Sequence, residues 1–186
     1  PANLSRLVID PYREDCSTET VLGDSLKLKS PFLATGFDDA PRNVREGLAQ
    51  ALATLGTPYI GGCPINEHIA WLQLILCDKD EPSTKAAGLI YSMGEKFVAI
   101  EVERLRDDQL LGLVVTASVL EEAIPYALEE DFDLLVLDTT AGLGTSWPEM
   151  KSIPDLAVMR DAVSILRRLK QEGSLSLVYF GGIRSG

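Results

Sequence analysis

The sequence predicts an α/β fold built as a parallel (βα) barrel, and three observations carry that expectation. Short apolar runs alternate with amphipathic helical segments along the 186 residues. Runs such as Leu134-Leu135-Val136-Leu137 show no polar alternation, which marks strands covered on both faces, as in parallel sheets. Glycine, hydroxyl and acidic residues stand just after these runs, where a barrel gathers its functional groups: Thr35-Gly36, Gly61-Gly62, Ser92-Met93-Gly94, Asp138-Thr139-Thr140 and Gly181-Gly182. A doubly wound sheet, the competing architecture, usually opens with a glycine-rich first turn, and none is visible.

Strands are expected at 31–35, 58–61, 89–92, 97–102, 111–115, 134–138 and 176–180. A helix over 41–55 follows from Val44, Leu48, Ala51, Leu52 and Leu55 at helical spacing behind Pro41. A second, over 119–129, follows a capping-box pattern, Ser118 with Glu121, and carries Pro125 inside it. A third, over 155–171, places Leu156, Met159, Val163, Leu166 and Leu169 on one stripe and stops at Gly173. A fourth is read at 66–77.

Size bounds the architecture. An eight-stranded barrel typically takes about 250 residues. The sequence therefore reads as one TIM-type (βα)8 domain over residues 1–186 that lacks its last strand and helix, a fragment of a longer chain. The opening Pro1-Ala2-Asn3-Leu4, with neither an initiator Met nor a signal-peptide pattern, agrees with that expectation.

Composition removes several function classes. A net charge of −11 argues against nucleic acid as a partner, because phosphate backbones demand clustered Lys and Arg. Cys16, Cys63 and Cys77 form no Cys-x-x-Cys pair, so no metal site is expected, and a reduced, cytoplasmic thiol set is the simplest reading. No run of about 18 apolar residues offers a membrane span. His68 is the single histidine, which excludes a multi-His metal site or a His-based triad. Cys63 reads as a structural thiol, and 129–133 as a solvated acidic turn.

Two segments carry the chemical signal. The tail Tyr179-Phe180-Gly181-Gly182-Ile183-Arg184-Ser185-Gly186 runs from a strand into paired glycines and an Arg. Glycine lets backbone amides approach a phosphate, Arg adds a cationic fork, and barrels often bind phosphate after their late strands. The loop Asp138-Thr139-Thr140-Ala141-Gly142-Leu143-Gly144-Thr145 offers amides and hydroxyls to an anion or a flavin edge.

With the terminal Gly-Gly-Ile-Arg-Ser-Gly, the stretch from Leu137 to Thr145 resembles the Ile-Asp-Gly-x-x-Gly-Gly-Thr-Gly loop of the FMN-binding domain of glutamate synthases. Residues 28–36, the helix 41–55 and Gly56-Thr57 resemble that family's first strand, helix and Gly-Thr turn. Gly61-Gly62-Cys63-Pro64-Ile65-Asn66-Glu67 stands where the family has Gly-Glu-Gly-Gly, and Ala99-Ile100-Glu101-Val102-Glu103 is similar to its Ala-Ile-Glu-Ile-Lys. The resemblance implies FMN as cofactor and reductive formation of glutamate from 2-oxoglutarate and ammonia. It also implies a reduced electron donor or partner subunit, and an oligomer. Gly181, Gly182, Arg184, Ser185 and Gly186 would hold the FMN phosphate, while Thr139, Thr140, Gly142, Gly144 and Thr145 would line the flavin or substrate side. No catalytic residue is assigned.

The chain departs from the family in three places. Glu101, Glu103, Val115 or Thr116 stands where a Lys is expected near the flavin. Arg104-Leu105-Arg106-Asp107-Asp108 replaces the Gln-Gly-Ala-Lys loop, and the iron–sulfur cysteine cluster is absent. A cation beside reduced flavin stabilises its negative charge and a carboxylate opposes it. The alternative is therefore a degenerate, non-catalytic barrel acting as a regulatory or assembly domain.

Overall fold

A computed structural model describes residues 17–76, 80–93, 96–144 and 155–181. In chain order its elements are β1 (Thr20–Leu22), β2 (Leu26–Leu28), β3 (Ala34–Thr35), α1 (Arg42–Leu55), β4 (Tyr59–Gly61), β5 (Trp71–Ile75) and β6 (Gly88–Ser92). They continue as β7 (Leu110–Val115), α2 (Leu120–Glu129), β8 (Leu134–Asp138), α3 (Ala157–Leu169) and β9 (Ser176–Phe180). Strands β3 to β9 form one seven-stranded sheet whose spatial order is the chain order, every neighbouring pair parallel.

The sheet curls, because its inner side chains meet. Ile60, Leu72, Leu74, Ile90, Val114, Leu134 and Val136 belong to a single buried cluster that contains no residue of the three helices, so the curl of the sheet itself buries this face. The opposite faces of the same strands, through Leu89, Leu113, Leu135 and Leu137, pack with Leu52 of α1, Ala123 and Ile124 of α2 and Ala162 and Ile165 of α3. Both faces are thus covered, as the unbroken apolar runs require. Among the described residues the architecture is an α/β, TIM-type barrel of seven strands that is curled but not closed.

The antiparallel β1–β2 hairpin, which sequence reasoning did not anticipate, closes the end where the strands begin. Leu22 and Leu28 join the inner cluster. The amide of Gly23 donates to Ser176 Oγ (3.0 Å) at the start of β9, and a Cβ on Gly23 would lie 2.5 Å from the Leu110 side chain at the start of β7.

Among the described residues no strand pairs with the outer edges of β3 and β9. A cavity of about 1200 Å³ lies between them, lined by Phe32, Ala34, Ile60, Val178 and Phe180. The two sheet ends therefore face each other across one gap, as in a barrel that is curled but open.

Several expectations need correction. Residues 71–75, read as part of a helix over 66–77, are the fully buried strand β5. Gln73 within it is satisfied, donating to the Glu81 carbonyl (2.9 Å) and accepting from the Ser83 amide (2.7 Å). The 97–102 segment is irregular and among the described residues pairs with no strand: Tyr126 holds it to the outer face, and Phe97, Ile100 and Val102 pack there. It covers the sheet where a crossover helix would otherwise lie. The first strand is only Ala34–Thr35, not 31–35.

Helix α3 buries Val158, Ala162, Ile165 and Leu166, so its inward face is turned from the expected stripe, leaving Leu156 74% exposed. The apolar arc is wide enough to allow either face, and small Ala162 permits close approach. Its left-handed cap is Lys170 (φ 57°), not Gly173. Helix α2 has Val119 as its N-cap with no side-chain cap bond; Ser118 belongs to a preceding 3-10 turn, its hydroxyl 3.0 Å from that of Thr116. Pro125 sits in the helix without ending it. Helix α1 matches its expected span and ends in left-handed Gly56 (φ 64°).

Candidate functional site at the strand exits

The exits of β8 and β9 adjoin. The two strands pair in register through Asp138 and Phe180, and the Thr139 amide donates to the Phe180 carbonyl (3.0 Å). Both exit segments therefore leave from the carboxyl end of the sheet.

The β8 exit loop is organised from within by Asp138. Its carboxylate is 4% exposed and accepts from the Thr140 amide (3.0 Å), the Thr140 hydroxyl (3.1 Å) and the Leu143 amide (2.9 Å). Carboxylates that bond their own downstream amides build such turns. The loop then crosses the barrel mouth: Leu143 enters the inner cluster, and a Cβ on Gly144 (φ +83°) would lie 2.8 Å from Leu76.

The β9 exit is equally confined. Gly181 has φ +151°, and a Cβ there would lie 2.0 Å from Thr139 Oγ1. That hydroxyl donates to the Phe180 carbonyl (3.0 Å) and lies 3.4 Å from the Tyr179 hydroxyl. Glycine is required at this close approach.

The expected site residues thus separate. Thr139 and Gly181 are in contact. Thr140 is 1% exposed and directs its hydroxyl to Asp138, not outward. Gly142 is buried and Gly144 exposed. Gly182, Arg184, Ser185, Gly186 and Thr145 lie outside the described residues.

A second polar cluster stands after β3 and β4. The buried Tyr59 hydroxyl donates to Asp38 Oδ1 (3.1 Å) and accepts from the Phe37 amide (3.0 Å), while the Gly62 amide donates to Asp38 Oδ2 (3.0 Å). Burial pushes the Tyr59 hydroxyl well above its ordinary range; the charge of Asp38 adds to this and the Phe37 bond opposes it. Gly61 fits because a Cβ would lie 2.4 Å from the Tyr59 ring, and its carbonyl accepts from Trp71 Nε1 (2.8 Å). Sequence reasoning passed over Asp38; its place directly after Thr35-Gly36-Phe37 was the available signal.

Glu101 and Glu103 do not face the barrel mouth. Their segment runs along the outer face, where Glu103 neighbours Tyr91 and its charge adds to the burial that raises the Tyr91 hydroxyl. Val115 also faces outward, and Thr116 stands at the β7 exit. None of Thr35, Gly62, Ser92, Thr116, Thr139 or Gly181 at the exits is cationic. His68 lies in an exposed turn, not a helix, 3.7 Å from Glu67, and Cys63 is exposed. In the acidic run, Asp133 is not merely solvated: it pairs with Arg104 (3.3 Å) and accepts from the Leu111 amide (2.7 Å). Among the described residues, no helix is long and apolar enough to cross a membrane.

No family model matches the chain, and no curated protein matches it in sequence. In structure it is similar to a leucine-to-alanine mutant of flavocytochrome b2 with benzoylformate, with a TM-score of 0.58 and 15% identity. The match covers 96% of this chain and 57% of that one, so the chain spans little more than half the length of the structure it resembles.

Proposed function

We propose that this chain supplies the FMN-binding barrel of an oxidoreductase acting on a small 2-oxo or imino acid, in its finer form an enzyme of the glutamate-synthase type. The supporting observation is the meeting of the two expected cofactor segments, through Thr139 and Gly181, at the carboxyl end of a parallel barrel. The likeness to a flavocytochrome with benzoylformate, itself a 2-oxo acid, adds to this reading.

By residue type, the glycines and the Arg of 181–186 would suit the phosphate end of FMN. Gly181 leaves no space for a Cβ beside Thr139, so the chain leaving β9 is held against the β8 exit loop. Gly181, Gly182, Arg184, Ser185 and Gly186 would hold the phosphate. In the 139–144 loop, backbone groups rather than the Thr140 hydroxyl would face the ligand, with Thr145 following. Bound FMN supplies two-electron transfer between a reduced donor and the imine of 2-oxoglutarate and ammonia. The chain's own part is to bind, orient and exclude water. A cytoplasmic, oligomeric setting with a donor or partner subunit belongs to the same proposal.

A second reading, a non-catalytic barrel in a regulatory or assembly role, is favoured by the lack of a cation among the described exit residues named above. One experiment separates the two. The full-length protein is purified, its visible absorbance recorded, and FMN titrated calorimetrically. Colourless protein with no binding at high FMN defeats the cofactor reading. Binding without turnover of 2-oxoglutarate, ammonia and a reduced donor selects the non-catalytic barrel.

A further inference from the structure

We infer that residues 141–144 form a hinged strap over the barrel mouth, strained at Ala141 and latched by Leu143 and Gly144, that opens without the rest of the barrel. This stands apart from the cofactor reading. Three non-glycine residues among those described have left-handed backbone: Asp131 (φ 52°), Ala141 (φ 51°) and Lys170 (φ 57°). Asp131 lies just past α2 and Lys170 caps α3, where a left-handed residue is the ordinary way to end a helix. Ala141 ends no helix, and alanine has no polar side chain to favour that conformation. A strained residue persists only where its surroundings hold it.

The contacts that hold it lie on both sides of Ala141. On the root side, the Thr139 amide donates to the Phe180 carbonyl (3.0 Å) and the Thr140 amide to Asp138 Oδ1 (3.0 Å), so the chain as far as Thr140 is tied to the sheet. On the far side, the Leu143 amide donates to Asp138 Oδ2 (2.9 Å), and the Leu143 side chain enters the inner cluster. Gly144 (φ +83°) then lies against the end of β5, where a Cβ would stand 2.8 Å from Leu76 and 3.0 Å from Leu74. Strands β6 and β7 separate β5 from β8 in the sheet, so this contact spans the mouth. One hydrogen bond, one buried side chain and one glycine contact therefore oppose the strain at Ala141. Releasing them relaxes Ala141 and breaks no strand pairing, which is the condition for local opening. Opening uncovers Leu74 and the inner cluster at the carboxyl end of the sheet, so a ligand at the mouth selects between two arrangements of the strap.

Amide exchange, read residue by residue on the full-length protein and corrected for intrinsic rates, tests the strap with two substitutions of opposite sign. In the unsubstituted protein the Leu143 amide should exchange at least about tenfold faster than the Thr139 amide at the root. Ala141→Gly removes the strain and should slow exchange at Leu143 about two- to fivefold. Gly144→Ala forces a side chain onto a left-handed backbone and against Leu76, and should speed it about tenfold. Thr139 should stay within about twofold in both variants. If G144A does not fold, Leu143→Ala, which withdraws the buried side chain, takes its place with the same expected sign. Exchange at Leu143 no faster than at Thr139 overturns the inference, because the strap then opens only with the barrel. So does any result in which the two variants do not move Leu143 in opposite directions.

Discussion

Tyr126 grips Ile100 by both backbone groups: its hydroxyl accepts from the Ile100 amide (3.2 Å) and donates to the Ile100 carbonyl (2.6 Å). A strand partner would satisfy the same two groups, so one side chain replaces a ladder. The Tyr126 ring also meets Phe97 edge-on, at a centroid distance of 5.5 Å. Tyr126→Phe should keep that packing and lose about 1–2 kcal/mol of stability, because two partly buried backbone groups lose their partner. Urea denaturation checks the value. Amide exchange at Ile100 should accelerate, and unchanged exchange would contradict the clamp.

Asp138 should matter for stability. Asp138→Ala removes an acceptor from three donors in a buried loop, at an expected cost of about 2–3 kcal/mol. Asp138→Asn retains one carbonyl oxygen and should cost less. Chemical denaturation of the pair gives the ordering, and an Ala variant as stable as the Asn variant would refute it.

The barrel interior leaves no space at Gly88. A Cβ there would lie 2.8 Å from Leu72 Cδ2, 2.9 Å from Leu110 Cβ and 3.1 Å from the Leu110 carbonyl oxygen. Backbone cannot swing aside as a side-chain tip can. Gly88→Ala is expected to destabilise by about 1–3 kcal/mol. Gly47, with nothing within 4 Å, is the control: Gly47→Ala in α1 should be neutral or stabilising by about 0.5–1 kcal/mol.

Tyr59 gives a pH dependence of definite sign. Its hydroxyl titrates higher in the folded chain than the ordinary value of 10.0, so above that pH the folded state binds more protons than the unfolded one. Stability therefore falls as pH rises, and the contribution is fully present below pH 10.0. Tyr91, raised chiefly by burial, acts in the same direction. Melts between pH 8 and 11 should show an alkaline decline that is shallower in Tyr59→Phe. That variant should also lose about 1–2 kcal/mol at neutral pH, since the Phe37 amide loses its acceptor. Identical slopes would disprove the assignment.

Much of the barrel was legible because its strands are buried on both faces. Leu134 to Leu137 announces such a strand without ambiguity when a helix and a Gly-rich loop flank it. The same property hid β5, since Trp71-Leu72-Gln73-Leu74-Ile75 has no period-2 pattern and a buried apolar run fits a helix equally well. Phe97 to Val102 deceived in the other direction: its composition asks for extended chain, and only tertiary context decides that Tyr126 is its partner. The hairpin had a weak signal, Gly23-Asp24 between Thr20-Val21-Leu22 and Leu26-Lys27-Leu28. At the mouth, the strand-exit positions could be read from sequence. That Asp138 claims the Thr140 hydroxyl, and Phe180 that of Thr139, could not, because a hydroxyl's direction depends on a turn the sequence does not spell out.

In the main sheet every strand pairs with its successor in the chain, so contacts within it can form progressively and at modest loop-closure cost. The β1–β2 plug breaks that pattern: the Gly23–Ser176 bond joins residues 153 apart. It requires β9 to be in place, although the hairpin itself is local and precedes the main sheet in the chain. Docking of the hairpin is therefore expected late on the folding route. A fluorophore at the exposed Val21 beside the gap would then report completion of the barrel, lagging behind the ellipticity change that marks formation of the sheet and helices.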